Sequence, residues 1–438
     1  MPIRSFRESI NRALFFAMEK DKDMICFGLG TTDPKGVFGT TLGLESKFGP
    51  ERVFDAPTSE NALTGFAIGA SLNSSVPILT HQRLDFALLS LDQIINGAAK
   101  WLYMFGGELN VPITIRMIIG RGWGQGPTHS QNLQSVFSHI PGLKVVSAST
   151  PDNVANLLYS SIFDPNPVIF LEHRWLHNSM GTFPKKLKTN QLGKCKILKK
   201  GKDITLISLS YMTLECIEAA KLLKKFKIDA EIVDLSTISP LDERTIINSL
   251  KKTRRALVAD TSNNFCGISS TIASIINQNI NNLKNKVEIV SLPFCPEPTS
   301  HQLIKYFYND RYTIVNKVLN LMRQKEILIK GAKALIMGIT FKENLNDIRN
   351  SKIPEIYKGL VNQGLEVEVY DPLADSELVK KEYGISLTKL PSKYEAIILA
   401  VAHEVFLKND IEKYKNMRGA VVYDIKSVLD IDTIDGRL

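Results

Sequence analysis

The sequence is short of cysteine and has no two of them in CxxC spacing. Cys26, Cys195, Cys216, Cys266 and Cys295 are scattered over 438 residues, which argues against a zinc cage and fits reduced thiols in a cytoplasm. Long apolar runs are also missing. The longest, Ala396 to Ala402, falls far short of the roughly 20 residues that span a bilayer, and reads as a buried strand. The opening stretch MPIRSFRESINRALFFAMEK has an amphipathic helical pattern with acidic residues inside it, unlike a secretory signal. There is no internal repeat, no low-complexity tract, no arginine-rich arm and no aromatic-interleaved basic stripe of the nucleic-acid type. The net charge of +9 therefore points to phosphorylated small ligands, with a generally solvated basic surface as the plainer alternative. We read a cytoplasmic protein with neither a nucleic-acid nor a membrane partner.

Hydrophobic residues make up 44% and charged residues 23% of the chain, as in soluble globular proteins. The length implies two to four domains. In residues 1–185, the apolar runs MICFGLG, VPILTHQ, ITIRMIIG, LKVVSAS and PVIFLEH alternate with the helical patterns SENALTGFAIGASL and LSLDQIINGAAKWLYMFGG. A polar, lysine-rich stretch from Pro184 to about Asp203 reads as a linker. Residues 195–325 repeat the alternation, from ITLISLS to VEIVSLP, and RQKEILIKG is a charged connector. Residues 330–438 repeat it again, with four strands in ALIMGIT, LEVEVYD, AIILAVA and AVVYDIK and a helix closed by Gly364. The expected fold class is α/β: three domains, each with a parallel sheet.

Two features of the first segment draw attention. Glu60 starts a helix in FGPERVFDAPTSENALTGFAIGASL, where the helix macrodipole by itself favours an acid. GRGWGQGPTHSQ follows a strand and ends near His129; its four glycines permit close approach of the backbone to a ligand, but it has neither dinucleotide nor Walker spacing.

Residues 1 to about 325 resemble the β subunits of α-keto acid dehydrogenase decarboxylases. The resemblance is carried by FGPERVFDAPTSE, LDQIINGAAKWLYMFGG, VPITIR, THSQNLQSVFSHIPGLKVVS and NPVIFLEH, in that order. It implies thiamine diphosphate, with Glu60 on the aminopyrimidine ring, Phe86 packed against that ring, and His129 facing the reacting carbonyl as a proton donor. It places a monovalent-cation loop, such as one for K+, at Asp164 and Asn166, where the residues alone read equally as an Asp-Pro-Asn-Pro turn. Two departures stand out. The Gly-Asp-Gly motif that holds Mg2+ on the diphosphate is absent, which implies an α-type partner chain carrying it, around a β dimer in an α2β2 assembly. In GLGTTDPKG the chain has Leu29 and Gly30 where the relatives have an acidic pair.

Residues from about 330 resemble the C-terminal, UDP-binding domain of UDP-sugar dehydrogenases, through GITFKENLNDIRNS, VEVYDP, AIILAVAH, VVYDIK and DGRL. The resemblance assigns Lys342, Arg349 and Arg437 to a UDP-sugar, with Asp347 placed to orient Arg349. The residues alone read as a surface ion-pair network. No GxGxxG fingerprint precedes this domain and no cysteine has the context of an oxidising thiol, so the chain by itself is not an NAD-dependent dehydrogenase. The leading expectation is a thiamine-diphosphate subunit that adds or removes an acyl or ketol unit on a UDP-linked sugar for a surface polysaccharide, or decarboxylates a keto acid. Half of a split transketolase, suggested by the GPTH run, and a non-catalytic nucleotide-sugar-binding or assembly module remain as alternatives.

Overall fold

Apolar runs that follow one another at short intervals, each returning through a helix, build parallel sheets. In the computed structural model, which describes residues 2–122, 124–323, 331–389, 391–408, 410–416, 420–430 and 433–437, they build three. The chain divides into two units, Met1–Leu321 and Met322–Leu438.

The first sheet runs Thr237–Ser239, Lys144–Ser147, Val168–His173, Thr114–Ile119, Val76–His81, Met24–Gly28, Val53–Asp55. All but Thr237–Ser239 are parallel. That antiparallel edge strand comes from the second segment, and buried polar bonds reinforce the join. Ser149 Oγ donates to Asp234 Oδ2 at 2.6 Å, and Gln134 Nε2 donates to Asp260 Oδ1 at 2.9 Å. The first two segments therefore form one unit.

Thr114–Ile119 is buried along its whole length, with a charge in the middle. Arg116 Nε donates to Glu172 Oε1 at 2.6 Å, both side chains fully buried, and Arg116 Nη2 donates to Thr40 Oγ1 at 2.8 Å. A buried ion pair persists only when its remaining donors and acceptors are also satisfied. The N-terminal helix Phe6–Lys20 starts on a capping box in which the Ser5 and Glu8 side chains bond each other's backbone N–H, and it buries Phe6, Ile10, Leu14 and Ala17.

The second sheet is Glu288–Leu292, Ala256–Asn263, Ile204–Ser208, Ala230–Asp234, Lys196–Lys199. Its last strand is antiparallel and lies in the stretch expected to be a linker. The polar pattern misled because an edge strand tolerates lysines: Lys199 Nζ reaches Asp229 Oδ1 at 2.7 Å. A helix at Glu243–Thr253, which the sequence pattern did not flag, is capped by Asp242 and buries Ile246 and Leu250.

The third sheet is parallel throughout: Glu366–Tyr370, Lys333–Met337, Ala396–Leu399, Val421–Asp424, Gly436–Arg437. It has a fifth strand, too short for a sequence pattern. Helix Ile353–Asn362 closes as expected, with Gly364 at φ +88°. Most of the charged connector, residues 324–330, lies outside the described residues. Among the described residues no helix is long and apolar enough to cross a membrane.

Candidate functional site

Parallel strands deliver the loops that follow them to one edge of the sheet, and ligand sites gather there. In the first sheet Val53–Asp55 leads to Glu60, Val76–His81 to Arg83, Asp85 and Phe86, and Thr114–Ile119 to the glycine-rich loop with His129. Glu60 opens helix Glu60–Leu72 and is half-buried. One turn on, Thr64 Oγ1 donates to the Glu60 carbonyl at 2.9 Å and lies 3.4 Å from His81 Nε2. Phe86 and His129 meet edge to face, with ring centroids 5.1 Å apart at 88°. The fold thus brings two of the three expected thiamine residues into contact and sets Glu60 on the same edge.

The loop carrying His129 is clamped from both sides. Arg83 donates to the Gly120 carbonyl (2.9 Å) and to Gln125 Oε1 (2.6 Å), and Gln131 Nε2 donates to Asp85 Oδ1 (2.8 Å). From the second segment, the carbonyls of Pro298 and Thr299 accept from Arg121 at 3.0 and 3.4 Å. Gly126 has φ +77°, and a Cβ there would lie 2.3 Å from Thr299 Oγ1, so only glycine fits this approach. Beside the clamp, the Glu297 side chain is 4% exposed and stands 3.9 Å from Arg121 Nη1. Burial lifts its carboxyl to about 7, against the pull of Tyr308, Arg121 and Ser130. Below the edge, burial pushes His81 down to about 4 and His173 to about 3. Both are neutral at ordinary pH.

Sequence reasoning missed Arg83, Arg121 and Glu297. Glu297 lies in FCPEPTS, far along the chain from the loop it braces, with no local motif to mark it. Gly30 has φ +76°, a conformation in which a side chain is strained, and beside it Gln82 Nε2 donates to the Leu29 carbonyl at 3.0 Å. At the expected monovalent-cation loop, the Asp164 carboxylate is already taken by Lys144 Nζ, at 2.7 and 2.6 Å.

In the second unit, Lys342 and Arg349 lie on the loop that leaves the carboxyl end of Lys333–Met337. Arg437 pairs in register with Asp424, the last residue of its strand. All three are exposed. Arg349 forks onto Asp347 with two bonds of 2.9 Å and holds that carboxylate down at about 2. A buried set supports the loop. His403 Nδ1 accepts from Asn344 N–H at 2.8 Å, which puts the ring proton on Nε2, facing Thr340 Oγ1 (3.0 Å) and Asp371 Oδ2 (3.2 Å). Lys426, paired with Glu343 at 2.9 Å, is a further cation at this edge.

Comparison with known proteins follows the same division. Residues 4–179 match the transketolase pyrimidine binding domain and residues 193–314 the transketolase C-terminal domain. The chain is 39% identical over 310 residues to the acetoin:2,6-dichlorophenolindophenol oxidoreductase subunit beta of Cupriavidus necator, covering 68% of this chain and 91% of that one. It is 36% identical over 313 residues to the pyruvate dehydrogenase E1 component subunit beta of Rickettsia bellii, covering 71% and 96%. The chain belongs to the pyruvate dehydrogenase E1 β-subunit family. A solved structure titled split gene transketolase, inactive beta4 tetramer, shares the E1 β fold, with a TM-score of 0.61 at 20% identity over 73% of this chain and 98% of that one. Beyond the E1 β region, residues 335–431 match the UDP binding domain of the UDP-glucose/GDP-mannose dehydrogenase family.

Proposed function

We propose that this chain is the β-type subunit of a cytoplasmic thiamine-diphosphate enzyme that makes or breaks a carbon–carbon bond beside a carbonyl, on a substrate held through a UDP-sugar. The observation that carries the reading is the Phe86–His129 contact on a clamped loop, at the sheet edge where Glu60 begins its helix. Thiamine diphosphate, when bound, supplies a carbon nucleophile for carbonyl groups. Glu60 would hold a proton at the aminopyrimidine ring, Phe86 would give that ring an aromatic face, and His129 would hold a proton toward the oxygen of the reacting carbonyl. Neutral His81 and His173 add no competing charge beneath these groups.

The chain has no Gly-Asp-Gly motif. The reading therefore assigns the diphosphate and its Mg2+ to an α-type partner, in an assembly built around a β dimer. Lys342, Arg349 and Arg437 would meet the UDP diphosphate, arginine giving forked contacts. Fusion then raises the effective concentration of the sugar. Transketolase chemistry is the less favoured alternative, since the relatives at 36–39% identity are of the dehydrogenase and acetoin-oxidoreductase kind.

The test is calorimetric titration of UDP and UDP-N-acetylglucosamine into the full chain and into an Arg349→Ala, Arg437→Ala variant. Micromolar binding that the variant abolishes supports the reading. A folded protein that gives no heat with either ligand removes the nucleotide-sugar part and leaves an E1 β-type subunit with an appended assembly module.

A further inference from the structure

Three arginines from distant parts of the sequence meet at one loop of the first unit. Arg83 follows strand Val76–His81, Arg174 follows strand Val168–His173, and Arg7 lies in the first turn of helix Phe6–Lys20. Backbone bonds from Phe6 N–H to the Ser179 carbonyl (2.9 Å) and from Arg7 N–H to the His177 carbonyl (3.2 Å) tie that helix start to the turn carrying Arg174. The three side chains gather at Phe38 and Gly39. The guanidinium carbon of Arg174 lies 4.6 Å from the centre of the Phe38 ring, and that of Arg83 5.7 Å. Phe38 is held at φ +50°, and a Cβ on Gly39 would lie 3.4 Å from Arg7 Cδ.

The charge of this cluster is not offset from within. Arg83, 3% exposed, donates only to uncharged groups, the Gly120 carbonyl and Gln125 Oε1. Arg174 is half-buried and Arg7 exposed, and among the described residues neither side chain forms a hydrogen bond or ion pair. Glu8, next to Arg7, is engaged by Ser5 in the helix cap. Burial, and after it the charge of Arg174, lowers Arg83 below the ordinary arginine value, against the pull of Asp85 and Glu297; burial, and after it Arg7, lowers Arg174. Arginine stays protonated all the same. The fold therefore holds mutually repelling guanidiniums with donors left free, one of them at a helix start, where the macrodipole disfavours a cation. An oxyanion would offset all of these terms at once, because guanidinium forks match its oxygens.

We propose that Arg7 and Arg174, backed by Arg83, form a binding site for the phosphate group of a small ligand. Arg83 and Arg174 both follow the carboxyl ends of parallel strands, so the site opens on the same sheet edge as Phe86 and His129. It lies within the first unit and does not depend on the UDP-binding unit or on the nucleotide-sugar reading of it.

The test is thermal unfolding of the full chain in rising concentrations of inorganic phosphate at constant ionic strength, for the wild type, Arg174→Gln, and the double variant Arg349→Ala, Arg437→Ala. The wild-type melting temperature should rise saturably by about 2–4 °C. The double variant should keep that rise, and Arg174→Gln should lose most of it. An equal rise in Arg174→Gln would overturn the proposal, and a rise lost only in the double variant would move the phosphate to the UDP-binding unit. No rise at all, or one that never saturates, as excluded solutes give, would overturn it as well. If Arg174→Gln does not fold, Arg7→Gln, at an exposed position, is read by the same criteria.

Discussion

The two units handle charge in opposite ways. The E1 β unit buries it: Arg116 with Glu172, Arg83 and Arg121 on loop carbonyls, and Glu297 in a dry pocket. The UDP-binding unit shows its cations to water, with the Arg349 side chain 84% exposed, and among its described residues the buried polar and charged side chains are Thr340, Asp371, His403 and Asp424. Charges in a water-poor site act strongly and specifically, which suits moving protons and electrons in bonds. Charges in water are screened and act by number, which suits reversible retention of an anionic ligand. On the proposed function, one unit is a place for chemistry and the other a handle.

The sharpest way to break that contrast is Glu60→Gln, assayed with an α-type partner. Activity should fall about 10²–10⁴-fold while the melting temperature drops by no more than about 2–4 °C, the share the half-buried Glu60 draws from the helix macrodipole. Full activity in the variant would sink the catalytic reading of this edge and favour the non-catalytic module.

Much of this contrast was legible in the sequence. Thirteen of the nineteen described strands follow from an apolar run, the rest being short or edge strands, and the FGPERVFDAPTSE and GITFKENLNDIRNS motifs led directly to Glu60, Lys342 and Arg349. What was not legible depends on distance along the chain. Thr237–Ser239 joins a sheet built by another segment, Lys196–Lys199 hides in a polar stretch because it is an edge strand, and Glu297 acts on a loop far upstream. Arg116 reads as an ordinary charge in ITIRMIIG, yet it is fully buried because Glu172 lies on the neighbouring strand. Local pattern reports the element; only the fold reports the partner.

The next effect in size lies in the second unit. His403→Ala removes the acceptor of Asn344 N–H and the link to Asp371, loosening the loop that carries Lys342. UDP affinity should weaken roughly tenfold, read by titration at a temperature where the variant is folded. Unchanged affinity would mean that the exposed cations need no buried support.

Glu297→Gln tests the dry side more gently. In the folded chain its carboxyl titrates at about 7 against an ordinary 4.5. Between those values the folded state keeps a proton that the unfolded state has released, so stability falls as pH rises through this window. Glutamine removes that slope. The two proteins should have the same stability near the bottom of the window, and the variant should be more stable above its top by on the order of 1 kcal/mol. Parallel melting curves across the window would show that Glu297 is not held neutral.

Asp347→Asn should have the smallest effect, and its sign is informative. Asp347 takes both arms of the Arg349 fork, the same arms a diphosphate would need. If the aspartate merely occupies the guanidinium until a ligand arrives, losing its charge should tighten UDP binding about two- to threefold, as expected for an exposed pair, and steepen the loss of affinity with salt. If it holds the guanidinium in position, binding should weaken and the salt dependence should change little. The second outcome would make the edge of the UDP-binding unit a built site of the same kind as the first. The tightening expected here would keep it a solvated handle, whose grip depends on how many cations reach the ligand at once.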